Sequence, residues 1–287
     1  MADFATIGLD PFDPGTGDYV FVNPLNAPIV GVTSGNPALS EETANTVTAG
    51  FVFQPGFLEG FSLTVDYWDI SIEGAIEGVS AQEIADGCYQ GESLNQSFCQ
   101  FLKRNPDPLS IFHGGFSFFR TTDINFAKIE SSGYDLTVVY RFEIGAHGFD
   151  VTAQGTRINE VNFFTNPLNP SEVDRKLGEI RRPKLAGNIF LDWAWGDLMV
   201  GWQSRYMGEQ LLDRGPEIED AHIIYGPSVV MDEFWQHDLS ARYWLNDQLM
   251  IYGGVKNVSD KEPFITNIAF PASARGRFFF LGVDYQL

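Results

Sequence analysis

The sequence predicts an all-β protein, a partial antiparallel transmembrane β-barrel with short periplasmic turns and long extracellular loops. Three observations carry that expectation. Apolar and polar residues alternate with period 2 in segment after segment, the connections between segments alternate short and long, and one apolar stripe runs to the final residue. A strand sends successive side chains to opposite faces, so each alternating segment defines a two-faced strand.

The C-terminal strand shows the pattern most plainly. Phe279, Leu281, Val283, Tyr285 and Leu287 share one parity, while Gly282, Asp284 and Gln286 take the other. The ends of soluble chains are usually frayed and polar; a stripe this greasy is expected to face lipid. Earlier stripes repeat it. Val47, Ala49, Phe51 and Phe53 form one, and Phe61, Leu63, Val65 and Tyr67 the next. Apolar parity then moves to Trp68, Ile70 and Ile72, which predicts a bulge near Tyr67–Trp68. Further stripes follow at Tyr134–Phe142, Phe149–Ala153, Leu185–Trp193, Leu198–Tyr206, Trp235–Leu245 and Leu249–Val255. With the terminal strand these make about nine strands.

The links Gln54–Gly60, Ile144–Gly148, Trp195–Asp197 and Asn246–Asp247 are short. Those from Glu73 to about Asp123, Phe163 to Arg175, Leu211 to Val229 and Asn257 to Ala274 are long. Outer-membrane barrels have this asymmetry. Residues 1–42 read as a loop or partial strand leading into the barrel, 43–287 as its C-terminal portion, and 74–123 as one long extracellular loop. The opposite face collects Asp135, Arg141, Asp150, Asn188, Asp192, Arg205, Asp238 and Arg242. So many charges do not suit a dry core. They fit a watery or plugged lumen.

Composition narrows the function. With 18 basic and 38 acidic residues the formal net charge is -20, which opposes nucleic-acid binding. Twenty-five Phe and 29 Gly suit interfacial girdles and a strand-and-turn architecture. No apolar run reaches the ~18–20 residues of a membrane helix. Met1–Phe4 do not begin a signal peptide, so an upstream part is expected. No nucleophile elbow, phosphate loop or zinc-protease motif is found. The chain is expected to be no enzyme, and neither a cofactor nor a metal is assigned. His113, His147, His222 and His237 lack metal spacing. His237 shares the apolar parity of Trp235 and Leu239, which predicts an interface position. Arg214, Glu217, Glu219 and Asp220 read as a solvated loop, with weak Ca²⁺ binding the sharper alternative.

Several segments resemble TonB-dependent outer-membrane receptors. Gly35-Asn36-Pro37-Ala38-Leu39-Ser40-Glu41-Glu42-Thr43 leads into Val47–Phe53 and a Gln54-Pro55 turn. That is similar to the family's Asn-Pro-x-Leu-x-Pro-Glu-Thr run, with Ser40 and Glu41 as departures. Gly253–Pro263 resembles the Val-x-Asn-Leu-x-Asp-Lys segment before the last strand, and Glu130–Leu136 a recurrent barrel strand. Leu287 stands where the family usually ends in Phe. The resemblance implies a plugged barrel of about 22 strands, with the plug and TonB box upstream. It also implies energised uptake of a scarce large nutrient: siderophore-bound iron, haem, cobalamin or a glycan. The implied partners are outer-membrane lipid and lipopolysaccharide, the plug, the TonB complex, the barrel-assembly machinery through the C-terminal strand, and an unknown nutrient ligand. A passive channel or adhesin, and a soluble glycan-binding or glycan-degrading domain, are the competing readings.

Cys88 and Cys99 lie in the longest loop. In an oxidising compartment they are expected to close a disulfide, with a metal site, a redox pair or free thiols as alternatives. Similar paired cysteines occur in this loop in some members of the family. Ser80 and Glu83 form a capping-box pattern, which predicts a short helix over Ala81–Cys88.

Overall fold

The computed structural model describes residues 29–89, 96–109, 115–212, 218–264 and 270–286. Leu287, His113, Arg214 and Glu217 lie outside them. Nine strands follow one another along a single sheet: β1 (Thr43–Phe53), β2 (Phe61–Gly78), β3 (Asp123–Ile144), β4 (His147–Phe164), β5 (Leu185–Trp195), β6 (Leu198–Met207), β7 (Phe234–Asn246), β8 (Leu249–Lys256) and β9 (Phe278–Tyr285). Each pairs with the next in sequence, an up-and-down meander. A two-residue strand, Asp174–Arg175, adds to β4. The short links are tight. Those after β3 and β5 begin on Gly145 and Gly196, at φ 62° and 53°, the conformation that two-residue hairpins need.

The chain packs as two compact units. One comprises Asn45–Ser71, Glu130–Phe163 and Asp174–Leu287; the other, Met1–Ala44, Ile72–Ile129 and Phe164–Val173.

In the first unit, register sorts the side chains row by row. Phe149, Trp193, Val200, Ala241, Gly253 and Leu281 lie opposite one another across β4 to β9. So do Val151, Leu191, Trp202, Leu239, Val255 and Phe279. The intervening rows are polar or mixed: Asp150, Asp192, Gly201, Ser240, Gly254 and Phe280 form one. A slip of one residue would turn every side chain to the wrong face. The expected bulge at Tyr67–Trp68 is a correction. Tyr67 meets Tyr134 with tilted rings 5.2 Å apart and donates to Asp69 at 2.9 Å, whereas Trp68 packs over Gly133. Alternation therefore continues through Trp68. Apolar residues change face there because the strand passes the aromatic row and meets different neighbours on each side.

Aromatic rings over glycines pin the last hairpin. Phe280 lies opposite Gly254 and Tyr252 opposite Gly282. A Cβ on Gly254 would meet the backbone oxygen of Leu239 and come within 2.8 Å of the Phe280 ring. Only glycine lets the ring lie flat on the strand.

The second unit builds a small folded module where the sequence suggested one long extracellular loop with a short helix. Strand β2 runs beyond Glu73 to Gly78. Helix α1 (Ala81–Tyr89) follows. Its expected capping box is present: the Glu83 amide donates to Ser80 Oγ at 3.2 Å, and the Ser80 amide to Glu83 Oε2 at 2.7 Å. Short strands Val30–Thr33, Phe116–Thr121 and Leu102–Arg104 form a three-stranded sheet. Val79, Ile84, Ala85, Cys88, Phe98 and Phe119 make its buried core.

We expect Gly254→Val to destabilise the folded barrel by about 1–3 kcal/mol, because the facing backbone cannot yield. Urea unfolding in detergent micelles, followed by tryptophan fluorescence, measures this.

Candidate functional site

On the apolar face of the first unit, none of Leu136, Leu239, Ile251, Leu281 and Val283 is buried, and Leu281 is 81% exposed. The stripes are not packed into a closed interior. Aromatic side chains gather at two levels along the strands. Near the short turns, Phe61, Tyr140, Phe142 and Phe149 form a chain of ring contacts at 4.6–6.0 Å. There Trp193 Nε1 also donates to His147 Nδ1 at 3.2 Å. Toward the long connections, Tyr67 meets Tyr134, Tyr206 meets Trp235 at 4.6 Å, and His237 stacks between Trp202 and Trp235. Tyr140 lies six steps along its strand from Tyr134, and Tyr206 eight steps from Leu198. At ~3.3 Å per residue these spans are roughly 20 and 26 Å. A membrane barrel's apolar band, flanked by aromatic girdles, is ~25 Å tall.

The eight polar candidates share the other face. Asn188 faces Arg205, Asp150 faces Asp192, Gln203 faces Asp238, and Met199 faces Arg242. Arg141 Nε donates to Asp150 Oδ2 at 2.7 Å in an exposed ion pair, which offsets the repulsion between Asp150 and Asp192. Asp135 accepts from Thr156. Arg205 donates to Gln236 Oε1 at 2.9 Å and to the Pro271 carbonyl at 2.8 Å. Gln236 in turn donates to Asp238 Oδ1 at 3.0 Å. A groove of about 340 Å³ opens on this face, with Asp192, Gln203, Asp238, Arg242, Tyr252 and Phe280 among its walls. Tyr252 and Phe280 were missed in the sequence, because their parity agrees with the polar set although their chemistry does not.

Asp238 also anchors the connection after β8. Its Oδ1 accepts the Asn257 amide at 2.7 Å. Asn257 is buried, has φ 53°, and closes the turn through both amide atoms onto the Lys261 backbone at 2.8–2.9 Å. Asp260 then accepts the Arg277 amide at 2.7 Å. The Asn and Asp of the Gly253–Pro263 motif are thus the clamps of one loop.

Between β4 and β5 the segment 174–184 is held closely. Lys176 lies 2.8 Å from Asp174 and 3.3 Å from Glu179. Burial works against its charge and is the largest single influence. The two carboxylates together outweigh it and raise its pKa above the usual 10.5. Arg182 lies 3.7 Å from Glu179 and over the Phe163 ring. In the second unit Cys88 and Cys99 are disulfide-bonded, as expected. The bond ties α1 to the short helix Gln96–Cys99. His222 is exposed on the helix Ile218–Tyr225; the side chains of Glu219 and Asp220 lie outside the described residues.

Comparison with known proteins matches residues 10–258 to the family described as TonB dependent receptor-like, beta-barrel. No curated protein matches the sequence. Among solved structures, the chain is similar to the FrpB iron transporter from Neisseria meningitidis at 17% identity and TM-score 0.55, over 89% of this chain and 33% of that one. It is similar to the siderophore receptor PirA from Acinetobacter baumannii at 15% identity and TM-score 0.55, over 88% and 33%. It is also similar to a mutant of the ferric enterobactin receptor PfeA from Pseudomonas aeruginosa, in complex with enterobactin. There the identity is 16% and the TM-score 0.56, over 88% and 32%. The chain spans about a third of the length of these structures.

Three outcomes test these local assignments. Asp238→Ala should weaken the clamp on the 257–277 connection by about 1–3 kcal/mol, seen as faster proteolysis there. Replacing Cys88 and Cys99 by Ser should cost the 79–122 module ~3 kcal/mol, seen as lost amide-exchange protection confined to that module. The Lys176 cluster gives a pH signature. A raised pKa stabilises fully below the unfolded lysine value and fades as pH climbs through the folded one. Stability should therefore fall above about pH 10 by less in Lys176→Met than in the parent protein.

Proposed function

This chain belongs to the TonB-dependent receptor family of Gram-negative outer-membrane proteins, and we propose that it forms the C-terminal part of a barrel that imports a scarce nutrient with energy from the TonB complex. One observation carries the membrane assignment. Unburied apolar rows lie between two aromatic levels on one face, while the charges lie on the other. Phe279, Leu281, Val283 and Tyr285 then face lipid, while Leu287, expected to join them, lies outside the described residues. Asp135, Arg141, Asp150, Asn188, Asp192, Arg205, Asp238 and Arg242 then line the lumen. In hydrocarbon every backbone group must be paired within the protein, which a closed barrel achieves.

The remaining strands, the plug and the TonB-contacting segment are assigned to the same receptor, because the chain spans a third of its solved relatives. The C-terminal strand is the element offered to the barrel-assembly machinery, and lipopolysaccharide surrounds the outer rim. An iron chelate is the preferred cargo within the set of siderophore-bound iron, haem, cobalamin and glycan. The support is that the similar structures are an iron transporter and siderophore receptors by description. The family is one of transport receptors rather than enzymes.

Two measurements test this. Val283→Lys in the full receptor should block insertion, because a lipid-facing Lys at mid-depth costs ~2–4 kcal/mol; normal assembly of that variant would reverse the assigned faces. Uptake of radiolabelled ferric chelates by cells carrying the receptor should stop when TonB is inactivated. Undiminished uptake would instead indicate a passive channel.

A further inference from the structure

We propose that segment 29–42, which leads into β1, and the module 72–129, which follows from β2, open and close as one part, clipped together by Asn125. The clip gives a task to the Gly35–Thr43 motif, and it holds whatever the cargo.

Strand pairing begins the attachment. Val30–Thr33 runs parallel to Phe118–Thr121, residue against residue. The Ser34 amide continues the ladder to the Thr121 carbonyl at 3.1 Å, and Thr33 Oγ1 lies 3.0 Å from Thr121 Oγ1. Ile29 packs against the buried core around Ile84 and Phe119. Past Ser34 the motif takes over. Asn36 Nδ2 donates to the Asp123 carbonyl at 2.9 Å, while its Oδ1 accepts the Ala38 amide at 2.9 Å. Pro37 sits inside that turn, where no amide is needed.

Asn125 makes the central contact. Its Oδ1 accepts the Ser40 amide at 2.8 Å, and its Nδ2 donates to the Ser40 carbonyl at 3.0 Å and to the Gly74 carbonyl at 2.8 Å. A carboxamide carries the donor and the acceptor of a peptide unit. The side chain therefore pairs with Ser40 as a neighbouring strand would. Its other proton reaches Gly74, which has φ 63°, so the bond fixes a point where glycine leaves β2 free to turn. The Glu42 carboxylate then accepts the Ile76 amide at 2.7 Å, a charge-assisted bond. These bonds join residues 34 to 88 apart in sequence, all within one compact unit.

Asn125 holds the leading segment and β2 at once. Neither can leave without stranding a half-buried carboxamide. The surrounding chain is thinly covered: Gly31, Val32, Thr33 and Ser40 are exposed. Contacts of this kind open in contiguous groups rather than singly. Recognition falls to connections such as these, so a contact made on one of the two is felt by the other.

The test follows amide exchange by mass spectrometry on the full receptor in detergent. In Asn125→Ala, exchange should rise about ten-fold or more in 30–42 and 72–79 together, with β5 to β8 unchanged. Asn36→Ala/Glu42→Gln alters only the leading segment, yet should raise exchange comparably in 116–125 and 72–79. A rise confined to the stretch that carries the substitution overturns the inference. The triple variant should exchange no faster than Asn125→Ala alone, because a clip opens once. Multiplied effects, the mark of independent bonds, overturn it as well. Val32 and Arg120 lie opposite each other and are exposed. Oxidised Val32→Cys/Arg120→Cys should therefore restore protection to both stretches in the Asn125→Ala protein; continued fast exchange in 72–79 after cross-linking defeats the coupling. Heat-modifiable gel migration reports barrel folding in each variant. Asn125→Asp, which keeps the acceptor for Ser40 and loses both donors, serves if the alanine form does not fold, and should give a smaller rise in the same two stretches.

Discussion

One layer of backbone separates two incompatible surroundings, and that constraint governs the structure. A strand is a single residue thick, so neighbours in sequence must satisfy hydrocarbon and an aqueous or protein-filled bore in turn. Register then becomes obligatory. The row through Phe149, Trp193, Val200, Ala241, Gly253 and Leu281 stays apolar across six strands, and the Asp150–Asp192 row beside it stays on the charged side. Stability comes less from a dry core than from the continuity of this ladder and from the rings that bracket it.

The polar side is organised rather than merely wet. Arg205, Gln236, Asp238 and Asn257 form a relay of hydrogen bonds from mid-sheet to the connection after β8. A loop that must present a surface is thereby tied to the rigid wall. The same principle operates in the 79–122 module, where a capped helix and a disulfide hold a small apolar core. Both connections are long, and both are fixed by a few strong local bonds.

How much of this was legible in the sequence depended on periodicity. Stripes such as Phe61–Tyr67 and Trp235–Leu245 placed the nine strands, because alternation is a local signal that needs no partner. The Ser80–Glu83 cap was legible for the same reason. The change of apolar parity at Trp68 misled: it signals a change in what covers each face, which only Tyr134 and Gly133 on the neighbouring strand reveal. Tyr252 and Phe280 were missed because an aromatic of polar parity gains its place from a glycine across the ladder. The left-handed Arg181 was invisible too, since its support, Gln210, lies far along the chain.

Strand β1 carries a consequence of its own. All eleven of its residues are exposed, and among the described residues it is paired only with β2. Among the described residues, alternate amides and carbonyls along its free margin therefore have no strand partner, and each unmet group in oil costs several kcal/mol. No choice of side chains can repair that deficit. The hem of this sheet is consequently a demand for one more ribbon of matching length and slant, and β9 poses the same demand at the opposite selvage.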